Sequence, residues 1–184
     1  MVGAPDLETP TLAPYGGDLQ AAFARLSALG YEGIELMTKN PVRLSGEKIR
    51  RWLDESNLRL VGLCTGHVFG EDGVGLLQPD LAINESAAAR LRDCIDFAAT
   101  HFGPGTLVNI GRSRGVGDSS RPEATLEVAA EALRELAQYA RPRGIGVILE
   151  PIRRLEVNFI HSTQDGLALV RRVNHPNLGL MADT

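Results

Sequence analysis

The sequence predicts an α/β protein of the parallel (β/α) TIM-barrel type, extending as far as a sixth strand. Three observations carry this. Short, nearly unbroken apolar runs recur along the 184 residues, and amphipathic helical stretches separate them. Continuous rather than alternating apolarity means that both faces of a strand are buried, as in a parallel sheet covered by helices. Alternating strands and helices give right-handed βαβ units, hence either an open doubly wound sheet or a barrel. Polar residues then stand at or just past the C-terminal end of successive runs: Glu35, Cys64 with Thr65 and His67, Asn109, Glu150 and Asp183. A doubly wound sheet concentrates function at one switch point, whereas a barrel spreads it over its strand ends. A closed barrel usually needs about 250 residues. The expectation is therefore one domain over residues 1–184, a barrel incomplete after its sixth strand.

The elements follow in order. Met1–Leu7 is a weak first strand, because Gly3 and Pro5 interrupt it. Leu19, Ala22, Phe23, Leu26 and Leu29 fall on one helical face, and Gly30 stops that helix. Gly33–Met37 is the second strand. Ser45 caps a helix marked by Ile49, Trp52 and Leu53, and Leu58–Cys64 is the third strand. Ala88, Leu91, Ile95, Ala98 and Phe102 repeat at helical spacing before the strand Leu107–Gly111. Leu126, Ala129, Leu133, Leu136 and Ala140 mark the next helix, closed by Gly144 ahead of Gly146–Glu150. Ser162-Thr-Gln-Asp165 resembles a capping box and opens a helix carrying Leu167, Val170 and Val173. Leu178–Asp183 is the last strand.

Bulk properties narrow the function classes. An apolar share of 43% supports a sizeable core, and a net charge of −4 gives no electrostatic case for nucleic acid. No apolar run approaches a membrane span and no signal peptide is recognisable, so a cytoplasmic setting without membrane partners is expected. Cys64 and Cys94 are too few and too far apart for a disulfide framework or a CxxC site.

Two runs end on acids, Glu150 and Asp183. Carboxylates at neighbouring strand ends can converge on one hard divalent cation while leaving positions open for substrate oxygens. Alternatively, each acid pairs with a nearby arginine or caps the next helix, and the spacing leaves both readings open. His67, after the third strand, is placed either to touch a substrate oxygen or to be solvated in a Gly-rich loop. Arg112-Ser113-Arg114-Gly115 offers a phosphate or carboxylate contact, with a solvated loop as the alternative. Gly70-Glu-Asp-Gly73-Val-Gly75 lacks the Lys-Ser/Thr of a nucleotide loop and reads as a mobile lid.

The stretch Glu150-Pro-Ile-Arg153-Arg154-Leu-Glu156-Val-Asn158-Phe159 resembles a signature of the sugar isomerase/epimerase group with the xylose-isomerase-like barrel, the D-tagatose 3-epimerase/AP-endonuclease-2 superfamily. Met181-Ala-Asp183-Thr184 is similar to the start of that group's D-T-F-H strand end. Gly30-Tyr-Glu-Gly-Ile-Glu35-Leu resembles its second strand, and Gly66-His67 with Gly70–Gly73 its third-strand loop. Arg153 stands where the group often has Asn.

The resemblance implies a metal-dependent sugar or sugar phosphate isomerase/epimerase acting through a metal-stabilised cis-enediolate. Glu150 and Asp183 would be metal ligands, with Glu150 also a catalytic acid/base. Glu156 would bind substrate hydroxyls, with His67 and Arg112 as further substrate contacts. The metal would be Mn²⁺, with Mg²⁺ or Co²⁺ as alternatives. It also implies that the remaining ligands and the second acid come from seventh and eighth strands, so no turnover is expected from Met1–Thr184 alone. The expected partner is a small sugar, with a homodimer across the open edge as a further association. The alternatives are an inosose-dehydratase-like lyase, an AP-endonuclease-like hydrolase and a non-catalytic barrel fragment.

Overall fold

In the computed structural model, which describes residues 1–9, 13, 15–78 and 80–183, six strands form one parallel sheet. They are β1 (Val2–Gly3), β2 (Gly33–Met37), β3 (Arg59–Cys64), β4 (Leu107–Ile110), β5 (Gly146–Leu149) and β6 (Leu178–Leu180). Their order in the sheet is their order in the chain, and every pairing is parallel. Sequential order has no reversal point, which is what separates a barrel-type sheet from a doubly wound one. The weak first strand is real: Val2 pairs with Leu36 and Gly3 with Met37, and Pro5 falls beyond it. Strands end slightly before their apolar runs do, leaving Gly111, Glu150 and Asp183 past the last paired residue.

The helices are α1 (Leu19–Ala28), α2 (Gly46–Glu55), α3 (Gly66–Gly70), α4 (Leu81–His101), α5 (Pro122–Ala140) and α6 (Thr163–Val173). Side chains cap most of the long ones: Asp18 accepts from the Ala21 amide, Ser45 from Lys48 and Asp80 from Ala82. Ser162 and Asp165 form the reciprocal capping box that the sequence predicts. α5 has no side-chain cap and opens instead on Pro122, whose missing N–H removes one donor needing a partner. Neighbouring long helices pack against one another along the sheet.

Some expectations need correction. Leu29 is 61% exposed, because α1 ends at Ala28 and Leu29 only caps it. In α6 the buried face is Gly166, Leu169 and Val173, and Leu167 points outward. α4 begins at Leu81, well before Ala88, because the Asp80 cap starts it ahead of any apolar repeat. The stretch after β3 holds a short helix, α3, where an open loop was expected.

The two faces of the sheet differ. Ile34, Leu36, Leu60, Leu63, Val108, Ile110, Val147 and Leu149 are buried under the helices. The alternate positions Glu35, Leu107, Ile148 and Gly179 are only partly covered. Val61, at a register shift between β2 and β3, is 50% exposed on that second face. Burying the helix side removes most of the apolar strand surface from water, and at about 25 cal/mol per Å² this is the main stabilising term. The concave side carries the polar strand ends.

Candidate active site

Glu150 follows β5, and its amide still bonds to the Ile110 carbonyl at 3.2 Å, which fixes the direction of its side chain. The Asn109 Nδ2 of β4 donates to Glu150 Oε2 at 2.6 Å, and the Met181 sulfur lies 3.6 Å from the same nitrogen. Gly111 is required beside them, because a Cβ there would stand 2.8 Å from Glu150 Oε2. Asn109 Oδ1 is buried without a partner. Burial raises the Glu150 carboxyl above its ordinary range, the Asn109 bond lowers it, and the Asp183 charge raises it further. Glu35 is raised as well, by burial and then by the charge of Glu150, with Asp183 adding to it. The structure thus brings Glu150, Asp183 and Glu35 within one another's fields. Asp183 itself is exposed.

The segment after β5 closes on itself. Ile152 donates its amide to Ile160 O at 3.2 Å, and His161 Nδ1 lies 2.9 Å from Ile152 O. Ile160 has φ +58°, a conformation that costs a residue branched at Cβ of order 1–3 kcal/mol. Glu156, within this loop, takes Arg153 Nε at 2.7 Å and stands 3.8 Å from Arg112 Nη1. It is near enough to Glu150 to raise its pKa. Arg112 is thus a part-buried ion-pair partner rather than a solvated loop residue, and its Nε is buried without a partner. Arg114, from the same turn, is 2% exposed, and burial lowers its pKa to about 10.

The other rim is built around Lys39, just past β2. Its ammonium meets Glu8 at 3.3 Å, Glu71 at 2.9 Å and Asp72 at 2.9 Å. Burial pushes the Glu71 carboxyl up, but the Thr9 and Glu8 amides and Lys39 outweigh it and hold it at about 2. Asp6 joins the loops after β1 and β2, accepting from Thr38 Oγ1 and from the amides of Lys39 and Asn40. His67 was expected in an open loop; instead it lies on α3, 2% exposed, with Nε2 3.3 Å from Thr9 O and 3.7 Å from Glu71. The stretch expected to be a lid is held at Glu71 and Asp72 by these bonds. The sequence reading missed Lys39 and assigned no role to Glu35 or Asn109. Glu35 and Asn109 were expected at strand ends; the structure places Glu35 in the middle of β2 and Asn109 within β4, one residue before its end.

The carboxylates fit a hard divalent cation in kind, since like charges destabilise one another's ionised forms and, among the described residues, none of Glu35, Glu150 and Asp183 makes an ion pair. In number, Glu150 and Asp183 would supply two ligands at most, and among the described residues no group of three or more His, Cys, Asp or Glu is arranged to hold an ion. A cavity of about 660 Å³ lies elsewhere, between α5 and α6, and none of these acids lines it. The strand-end mouth has the better claim to chemistry, because the half-buried carboxyls with raised proton affinity, Glu35 and Glu150, lie there.

A sequentially ordered parallel sheet with acids at neighbouring strand ends defines the (β/α)-barrel class. Within it, the chain belongs to the xylose isomerase-like TIM barrel family, which matches residues 23–184. It is 29% identical over 180 residues to an L-ribulose 3-epimerase of Methylomonas sp., covering 92% of this chain and 60% of that protein. It is 36% identical over 58 residues to a D-psicose 3-epimerase of Ruminiclostridium cellulolyticum, covering 32% of this chain and 20% of that protein. The crystal structure of a D-allulose 3-epimerase from Methylomonas sp. superposes with a TM-score of 0.72 at 25% identity, covering 90% of this chain and 57% of that one. The chain thus spans about 60% of the length of the first of these relatives. No helix among the described residues is long and apolar enough to cross a membrane.

Proposed function

We propose that this chain carries the β1–β6 part of the active-site mouth of a divalent-cation-dependent sugar epimerase. One observation carries the reading: the half-buried Glu150 carboxylate shares its field with Asp183 and Glu35, and although the Asn109 bond and the Arg114 charge oppose them, its carboxyl stays raised. The sugar epimerases among its relatives support the substrate class. Glu150 and Asp183 would hold the cation. What the cation supplies there is stabilisation of the substrate oxygen that gains negative charge when the carbon beside the carbonyl loses its proton.

The chain's own residues do the rest. Glu150 takes the proton from one face of the substrate, and its raised affinity for one suits a general base. Asn109 holds Glu150 Oε2 and so sets which carboxylate edge faces the substrate. Glu156, held by Arg153 and Arg112, accepts hydrogen bonds from hydroxyls remote from the reacting carbon, with Arg112 beside it as a second contact. His67 supports the opposite rim through Thr9.

Two measurements test this. Titration calorimetry with Mn²⁺ should show binding by this chain that weakens at least about tenfold in Glu150→Gln and in Asp183→Asn, the loss expected when a metal site is disturbed. NMR in D₂O with Mn²⁺ and L-ribulose should show deuterium entering at C3 without formation of the epimer, which needs the second acid, and Glu150→Gln should abolish the exchange. Unchanged Mn²⁺ affinity in both variants would overturn the site.

A further inference from the structure

Arg114 has the largest volume of the fully buried side chains, yet among the described residues no carboxylate lies within ion-pair distance of it. All its hydrogen bonds go to main-chain carbonyls. Nη1 donates to Gly111 O and Glu150 O, both at 2.7 Å, and Nη2 to Phe159 O at 3.2 Å and Ile160 O at 2.8 Å. The guanidinium also stacks near the Phe159 ring, 5.4 Å from its centroid.

These bonds bracket a loop. Glu150 opens it, Ile160 closes it, and Glu156 lies between them. The apolar anchorage of the loop lies near its closing end, where Val157 and Ile160 are buried and Phe159 packs on the core, whereas Leu155 is 88% exposed. Ile160 stands at a positive φ that it would not adopt by preference, so its surroundings must hold it there. The ends of the loop are also tied by the Ile152–Ile160 and His161–Ile152 contacts, and its middle by the Asn158 bonds to Gly117 and Ser119 and the Arg112–Glu156 ion pair.

We propose that Arg114 is a positioning residue whose planar fork clamps both ends of the Glu150–Ile160 loop and thereby sets Glu156 against Glu150. One face of the fork reaches the residue that opens the loop, the other the residues that close it. A lysine keeps the charge but offers one compact donor centre and cannot span both ends. A methionine keeps much of the volume and no donors. If Arg114 only filled space, methionine would serve.

The kinetic consequence rests on the epimerase reading; the structural one does not. Hydrogen exchange on this chain separates them. In Arg114→Lys and Arg114→Met, the Ile152 amide should exchange at least about tenfold faster, the factor that loss of one or two net hydrogen bonds produces in a local opening. The Val108 and Leu149 amides of the sheet should hold their rates in Arg114→Lys. Trypsin should cut the lysine variant faster after Arg153 and Arg154, both exposed in the loop. Deuterium entry at ketose C3 should fall by a similar factor. Unchanged Ile152 exchange in both variants would overturn the proposal. So would equal loss of protection across the sheet in both, because Arg114 would then be only a core residue. If the parent chain shows no C3 exchange, the epimerase reading fails, and the Ile152 amide still decides the clamp.

Discussion

Around Lys39 three carboxylates converge on one buried ammonium; around Glu150 three carboxylates share a field and, among the described residues, none of them makes an ion pair. Both groups sit at strand ends of the same mouth, the first joining the loops after β1, β2 and β3, the second spanning β2, β5 and β6. Their carboxyls move in opposite directions. Glu71 is held at about 2, while Glu150 and Glu35 are pushed up. The paired group is structural, since its charges satisfy one another and tie loops together. The unpaired group is costly to the fold, and residues of that kind are favoured by what they bind. Composition alone makes the two equivalent; the placement of one lysine separates them.

Removing that lysine should have the largest effect. Lys39→Met leaves Glu71 and Asp72 facing each other with their shared cation gone, and breaking a buried pair costs about 3–5 kcal/mol. A urea melt should show the loss, and a change under 1 kcal/mol would show that the rim is not held by charge.

Glu150→Gln should do the reverse. The glutamine can still accept from Asn109, and the buried charge is gone. A gain in Tm of about 2–4 °C at pH 7 is expected, the shift that ~1 kcal/mol produces in a chain of this size. A group whose pKa is raised on folding binds more protons in the native state. Its charge therefore costs stability above the ordinary carboxyl value, and lowering the pH relieves that cost. The gain should shrink as the pH falls from neutrality towards the ordinary carboxyl value and vanish below it. Glu71 has the opposite sign. Its contribution is complete above pH 4.5 and is lost as the pH falls towards 2. Melts from about pH 7 down to pH 2 should show parent and Glu150→Gln converging by the ordinary carboxyl value of 4.5, while Glu71→Gln ceases to differ from the parent only near pH 2. Parallel curves would remove the distinction between the two rims.

The smallest effect is expected at Glu8. Its side chain is 82% exposed although it meets the same ammonium. Glu8→Gln should cost no more than about 0.5–1 kcal/mol, as exposed ion pairs do. A loss comparable with that of Lys39→Met would show that Glu8, and not the buried Glu71, carries the rim.

Much of the fold was legible in the residues themselves. Continuous apolar runs marked five strands, because a strand buried on both faces needs no polar alternation. Ser45 and Ser162 announced their helices, because capping chemistry is local. The candidate acids were visible as strand-end residues, and the mouth does contain Glu150 and Asp183 in one another's fields. Other features depend on residues distant in sequence. That Leu29 faces water and that α3 buries His67 follows from what packs opposite them. Lys39 reads as an ordinary surface lysine until Glu71 and Asp72 arrive from the end of α3. Arg114 reads as a solvated loop cation until the carbonyls of Glu150 and Ile160 close around it. Periodicity and caps are settled over a few residues along the chain, so the sequence alone determines them. Whether a charge is paired, and so whether it holds the fold together or stands ready to bind, depends on its neighbours across the sheet, and only the tertiary structure decides that.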